Sequence, residues 1–349
     1  MDRVLSRRSL LKAAVATAAA PAVSAFANMQ TNAPPKRLVV GTGDHVYEVH
    51  HDWLTPPDDI KWGDTHGIAV DSHHRIYVAH TVHPTSVKPD AVCVFDDRGK
   101  FIKSWGSDFK GGAHGLDLRK ESGQEFLYHC DTRRRLVVKT DLDGTVVWSK
   151  GVPMESGVYK DASGFCPTNV AFLPDDKTYH GDIFVGDGYG SSYMHRYSKD
   201  GDYRGVVVGP GTEPGKLRTP HGQWVDSRSG TPKLVVCDRS NHRLQYFSLE
   251  GKFESLLTEG MRQPCHFHTN GDLALVPDLD AVVNILDKNN KVVAALGDGA
   301  GNPDLRGAPR EQFHPGQFVH PHAAAWINRH DILVVEWVPI GRVTLLKKV

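Results

Sequence analysis

The sequence predicts an all-β chain closed into a six-bladed β-propeller, and three observations predict it. A pattern of four short strands recurs from about residue 45 to the C-terminus. Its turns are built on Asp, Asn, Ser and Gly, in a chain with 34 Gly and 21 Pro among 349 residues. No segment carries a convincing helical period of apolar residues. A repeat of about 45–55 residues with four antiparallel strands is the size of one propeller blade.

The elements follow in order. The first strands open near His66, His114, Thr168, His221, Cys265 and His322, which counts six blades. A polar turn leads to a second strand that ends in Asp or an equivalent. The turns from third to fourth strand are the plainest signals: Asp96-Asp97-Arg98-Gly99, Asp141-Leu142-Asp143-Gly144, Ser198-Lys199-Asp200-Gly201, Ser248-Leu249-Glu250-Gly251 and Asp287-Lys288-Asn289-Asn290. The last repeat has three strands, ending in Arg342-Val343-Thr344-Leu345-Leu346, and Val46-Tyr47-Glu48-Val49 from the N-terminus is expected to supply its fourth. Such a closure removes free sheet edges. The Gly- and Pro-rich stretch 297–317 reads as a long loop over one face, a lid or an insertion.

Ahead of the repeats, residues 1–27 read as a twin-arginine export signal. Ser6-Arg7-Arg8-Ser9-Leu10-Leu11-Lys12 precedes an Ala-rich apolar stretch and the cleavage-type sequence Ala25-Phe26-Ala27. The apolar stretch is short for a bilayer span, and no Cys near the cleavage point offers a lipid anchor. Residues 28–44 read as a linker and 45–349 as the propeller, periplasmic or secreted and monomeric. Lys plus Arg and Asp plus Glu are 41 each, so the chain lacks the basic balance a nucleic-acid partner requires. A small molecule or a peptide is the expected ligand. Of the five Cys, Cys93 and Cys237 lie in apolar strand runs and read as buried thiols.

The 20 His are the compositional surplus. The innermost strand of each blade lines the central channel, so equivalent positions there form a ring. Taking every second blade gives His114, His221 and His322, each about two repeats from the next. Three imidazoles at roughly threefold positions, with one position left open, make a catalytic zinc site. Three imidazoles also suit other divalent transition metals. His66 occupies the same step in another blade and reads as channel wall rather than a fourth ligand. Thr168, Cys265, His266 and His320 complete the lining, and His266 with His268 share one strand face, where a second metal is an alternative expectation. His73 and His74 fall in a turn and should be exposed.

At these residues the chain resembles the NHL-repeat propellers, and most of all the peptidyl-α-hydroxyglycine α-amidating lyases. Ala113-His114-Gly115-Leu116, Thr219-Pro220-His221-Gly222 and His320-Pro321-His322-Ala323 match that family's three zinc-histidine motifs. Val185-Gly186-Asp187-Gly188-Tyr189-Gly190 resembles the segment of its catalytic tyrosine, here Tyr189. Val236-Cys237-Asp238-Arg239 resembles the stretch of an active-site arginine, here Arg239. The resemblance implies a zinc-dependent lyase that cleaves the C–N bond of a carbinolamide or a related small α-hydroxy compound. There are departures. Where the family has a second arginine for the substrate carboxylate, this chain has His80 and His83, one of which would have to substitute. The acid that holds the family's calcium is replaced by Ala323, which puts a calcium site in doubt. Gly190 stands where a disulfide cysteine is expected. No copper monooxygenase domain is present to make the substrate. The competing reading is a non-catalytic propeller that binds a partner in the periplasm.

Overall fold

The computed structural model describes residues 37–302 and 304–349. The expected export signal therefore lies outside the described residues, as do residues 28–36 of the expected linker. Six sheets form, each antiparallel, and they are the blades of a propeller. Blade 1 comprises Thr65–Val70, Ile76–His80, Val92–Phe95 and Phe101–Trp105. Blades 2, 3, 4 and 5 begin on Ala113–Glu121, Asn169–Phe172, Pro220–Asp226 and His268–Asn270, each followed outward by three further strands. Blade 6 runs Pro321–Trp326, Ile332–Glu336 and Arg342–Lys348.

The N-terminal strand His45–His50 closes blade 6, with Tyr47 opposite Lys348 and Val49 opposite Leu346. One strand more than expected is found: Val39–Thr42 pairs outside His45–His50 as a fifth strand. The propeller thus begins inside the stretch read as linker. Valines at 39 and 40, ahead of a turn at Gly43, explain the extra hairpin.

Strand alternation builds the cores. In the second strand of blade 6, Ile332 and Val334 pack toward blade 5, while Leu333 and Val335 pack toward blade 1. Both faces of each sheet are covered by a neighbour, so the middle strands read as continuous apolar runs. Cys93 and Cys237 are buried in these cores, and all five Cys are free thiols.

The third-to-fourth turns share one chemistry. A side-chain oxygen takes the N–H groups two and four residues on, as Asp96 does from Arg98 (3.0 Å) and Lys100 (2.8 Å). Asp287 repeats it with Asn289 and Lys291 at 2.8 and 2.9 Å. The fourth turn residue is left-handed, Gly99 at φ 81° and Asn290 at φ 63°, and Asn tolerates that region better than most residues.

A second device stands where the second strand ends in blades 3 to 6, on the face where the innermost strands begin. Asp187 accepts the N–H of Cys166 (2.6 Å), Asp238 that of Arg218 (2.6 Å), Asp278 that of Gln263 (2.7 Å) and Glu336 that of Val319 (2.7 Å). Each buried acid thereby ties down the segment that enters its own innermost strand. In blade 1 the residue at this place is His80.

Blade 5 departs from its expected start. Its innermost strand begins at His268, not near Cys265. The cause is Pro277 on the partner strand, whose carbonyl accepts the N–H of Cys265 (2.9 Å) but which has no N–H to return. Two residues of the innermost segment are left off the ladder, and pairing resumes at His268 opposite Leu275.

Candidate active site

Histidines from four blades converge on the channel axis. His114, His221 and His322 begin the innermost strands of blades 2, 4 and 6, and His66 that of blade 1. All four are buried. The rings of His114, His221 and His322 lie 4.6–4.9 Å apart by centroid.

Their orientation is set by the neighbouring blades. Nδ1 of His114 donates to the Thr168 carbonyl (2.7 Å), Nδ1 of His221 to the Cys265 carbonyl (2.8 Å) and Nδ1 of His322 to the His66 carbonyl (2.9 Å). A carbonyl oxygen only accepts, so each Nδ1 carries the hydrogen and each Nε2 presents a lone pair. The glycines after His114 and His221 make this possible. A Cβ on Gly115 would collide with the Thr168 carbonyl, and one on Gly222 with the Cys265 carbonyl. The oxygen that orients each imidazole therefore occupies space that any other residue would fill.

Burial holds all four imidazoles below their usual pKa, His114 at about 3. They stay neutral at pH 7, which is the form that binds a metal. The donor set fits zinc or another borderline divalent ion, with neutral nitrogens, Nε2 lone pairs and each ring fixed by its outer hydrogen bond. It does not suit calcium, which takes oxygen ligands. Ala323 packs into the core between blades 6 and 1 and offers none.

Tyr189 reaches over the ring from the turn after the second strand of blade 3. Its hydroxyl lies 3.0 Å from Nε2 of His221 and 3.3 Å from Nε2 of His114. The residue is 41 % exposed, with its hydroxyl end turned into the channel. Arg239, on the matching turn of blade 4, places Nη1 3.3 Å from that hydroxyl and its guanidinium 5.1 Å from the ring centroid. Burial raises the Tyr189 phenol above its usual value, and the Arg239 charge opposes the rise. The turn is held by Asp187, which accepts from the N–H of Cys166 and Ser191 and, at 2.8 Å, from the Tyr159 hydroxyl.

The remaining expected residues divide. Cys265 lies 3.8 Å from Nη1 of Arg239 and lends its carbonyl to His221. Thr168 lends its carbonyl to His114, while its hydroxyl donates to the Pro220 carbonyl (3.1 Å). His320 is clamped, with Nδ1 on the Leu279 carbonyl (2.7 Å) and Nε2 3.1 Å from Asp304. His80 is a structural residue. Its Nδ1 accepts the N–H groups of Gly63 (3.3 Å) and Val82 (3.1 Å), so it does in blade 1 what the acids do elsewhere and has no free nitrogen there for a substrate carboxylate. His83 is spent on its own turn with Thr85. His73 and His74 are exposed, as expected. Gly190 is close-packed, since a Cβ there would meet Asp187 and the Gly164 carbonyl.

His266 faces a polar pocket beneath the ring, with Nε2 3.8 Å from Asp117. His268 packs on Trp224, at 5.0 Å between centroids. Among the described residues they do not join a third His, Cys, Asp or Glu as a metal-holding group. Asp117, Asn169 and Gln223 were not singled out from sequence. They fall one or two pleats down the innermost strands, and strand registry from His114 and His221 is the signal that would have found them. Arg306 was also missed. It reaches from the 297–317 loop across to Asp64 (2.8 Å) and lies 3.8 Å over the Trp337 ring. With Arg310 on Asp52 (3.2 Å), it pins that loop across the same face. A cavity of about 270 Å³ lies beneath the loop, bounded by Leu279, Leu305, Phe318 and His320.

No protein-family model matches the chain, and no curated protein matches it in sequence. Solved structures do match in fold. A virginiamycin B lyase from Staphylococcus aureus is 12 % identical over 87 % of this chain and 100 % of its own, with a TM-score of 0.55. A gluconolactonase from Xanthomonas campestris is 13 % identical over 89 % and 91 %, with a TM-score of 0.56. A chain from a nidogen–laminin complex is 14 % identical over 74 % and 92 %, with a TM-score of 0.52. The fold is therefore one that carries both enzymes and binding modules, and identities this low speak for the fold alone.

Proposed function

We propose that this protein is a metal-dependent lyase of the peptidyl-α-hydroxyglycine amidating type, cleaving the C–N bond of a carbinolamide or a similar small α-hydroxy compound. The observation that carries the reading is the Tyr189 hydroxyl poised 3.0 and 3.3 Å from two of three imidazoles that share one orientation. A binding module has no use for neutral, inward-facing Nε2 lone pairs with a phenol and a guanidinium above them.

His114, His221 and His322 would hold the ion, zinc being the metal this set suits. When bound, it supplies positive charge that acidifies a substrate hydroxyl and favours the ionised phenol. The remaining work belongs to the chain. Tyr189, as phenolate, takes the proton from the carbinol oxygen. The electron pair left there forms the C=O bond of glyoxylate as the C–N bond breaks, and the departing amide nitrogen takes up the proton that Tyr189 now carries, which restores the phenolate. Arg239 steadies the phenolate by charge and by stacking on the ring, and is the cation nearest to a substrate carboxylate.

The test is release of glyoxylate from N-benzoyl-α-hydroxyglycine, with metal content measured on the same protein. About one equivalent of metal and turnover are expected in the wild type. Both should be lost in His221→Ala, with at least about a hundredfold drop in rate. Metal-free, inactive wild-type protein that takes up no ion on reconstitution would leave a binding propeller as the better account. Export through the twin-arginine route belongs to the same proposal, because that route passes folded, loaded proteins.

A further inference from the structure

The alternate-blade triple is not the tightest set in the ring. Donor atoms of His66, His114 and His322 lie within 4.8 Å of one another, while His221 stands outside that group and would have to close in on a shared ion. His66 also breaks the orientation rule its neighbours follow. By that rule its Nδ1 would donate to the carbonyl at the head of the next blade, which is that of His114. The space is there: Gly67 lies so close to blade 2 that a Cβ would meet the His114 carbonyl at 2.9 Å. His66 instead turns Nδ1 to Nε2 of His322, at 3.2 Å. Its ring is tilted 34° to that of His114 at 4.6 Å and perpendicular to that of His322 at 4.4 Å.

The tautomers give this contact its meaning. His322 donates through Nδ1 to the His66 carbonyl, so its Nε2 is a lone pair. Without an ion, Nδ1 of His66 donates its hydrogen to that lone pair; an ion seated between the two rings would use the lone pair of His322 Nε2 and that of His66 Nδ1, whose hydrogen moves to its own Nε2. The separation also matches a shared metal edge, since two nitrogens on a tetrahedral ion with bonds of about 2.0–2.1 Å lie about 3.3–3.4 Å apart.

We infer that His66 is a fourth imidazole ligand of the ring, binding through Nδ1 where the other three bind through Nε2. This rests on the reading of the ring as a metal centre. Four imidazoles fill a tetrahedral zinc, so a reactive position requires a fifth. The site therefore favours an ion or geometry that accepts five ligands. All four ligands are neutral, so the ion's charge is uncompensated within the ring, and the fifth position selects an anionic group.

The experiment compares wild type, His66→Ala and His66→Phe, each loaded with cobalt(II). Phe keeps the aromatic volume if Ala disturbs the fold, and melting temperatures check both. X-ray absorption should count four imidazoles in the wild type and three in each variant. The metal dissociation constant should rise at least about a hundredfold in both variants. Three imidazoles in the wild type, or variants that hold cobalt as tightly as the wild type, would overturn the fourth ligand and leave the three-histidine centre standing. A wild type that binds no cobalt would bring down the metal centre and this inference together.

Discussion

Gly115 shows how much of the site rests on single atoms. Its missing side chain lets the Thr168 carbonyl reach Nδ1 of His114, so one hydrogen atom links backbone packing to metal affinity. Gly115→Ala should cost about 1–3 kcal/mol of stability through overpacking and weaken metal binding as the carbonyl is pushed away. Urea unfolding and metal titration on the same variant would separate the two effects. A Tyr189→Phe variant removes only the hydroxyl above the ring. Metal content should be unchanged, while kcat falls by about 10²–10⁴, the usual worth of a positioned proton acceptor. A fall in metal content instead would make Tyr189 part of the binding site. At this scale the sequence was informative because the His-Gly step recurs at His66, His114 and His221. It was silent on which nitrogen each ring presents, since that depends on a carbonyl some 44–54 residues away in another blade.

The elements were legible wherever their chemistry is local. A turn such as Asp96-Asp97-Arg98-Gly99 closes through its own first side chain and its own left-handed residue, so four letters suffice. The ends of the second strands are different, because each buried acid serves a segment that lies 15–21 residues away. His80 shows the difference: the resemblance offers it or His83 in place of a carboxylate-binding arginine, and only the folded chain shows the N–H groups of Gly63 and Val82 bonding to it. His80→Ala should leave two N–H groups unpaired and cost about 1–3 kcal/mol. His80→Asp should recover part of that loss by supplying the acceptor used in the other blades. Equal destabilisation in the two variants, read from urea midpoints, would show that ring packing against Trp62 matters and the acceptor does not. Arg306 could not be placed from sequence, because a loop without periodicity gives no hint of which blade it crosses.

For the whole molecule, buried neutral histidines govern the response to acid. Away from the ring, burial lowers His80, His129 and His268 to about 3 and His51 and His195 to about 4. In the unfolded chain the same groups take protons near pH 6.5. Between about pH 6.5 and 4 the unfolded state therefore binds protons that the folded state refuses, and stability falls as pH falls. The slope reaches about 1.4 kcal/mol per pH unit for each such histidine. Urea midpoints of metal-free protein should drop steeply across that window. A flat profile would mean that these histidines are solvated in the folded state.

The pairing of Tyr47 with Lys348 has a topological consequence. Blade 6 is stitched from both extremities of the described chain, with Val39–Thr42 only two strands removed from Arg342–Lys348. At about 4.8 Å per strand and about 3.3 Å per residue along it, residues 37 and 349 lie about 16 Å apart, since Val39 is level with Lys347 through Glu48. A linker of about eight residues could join residue 349 to residue 37 and leave a covalent circle. New ends opened at the exposed turn around Gly230 would split blade 4 instead, its innermost strand at the new C-terminus and its three outer strands at the new N-terminus. Such a permutant should fold and keep the histidine ring, since none of its four members would change neighbours.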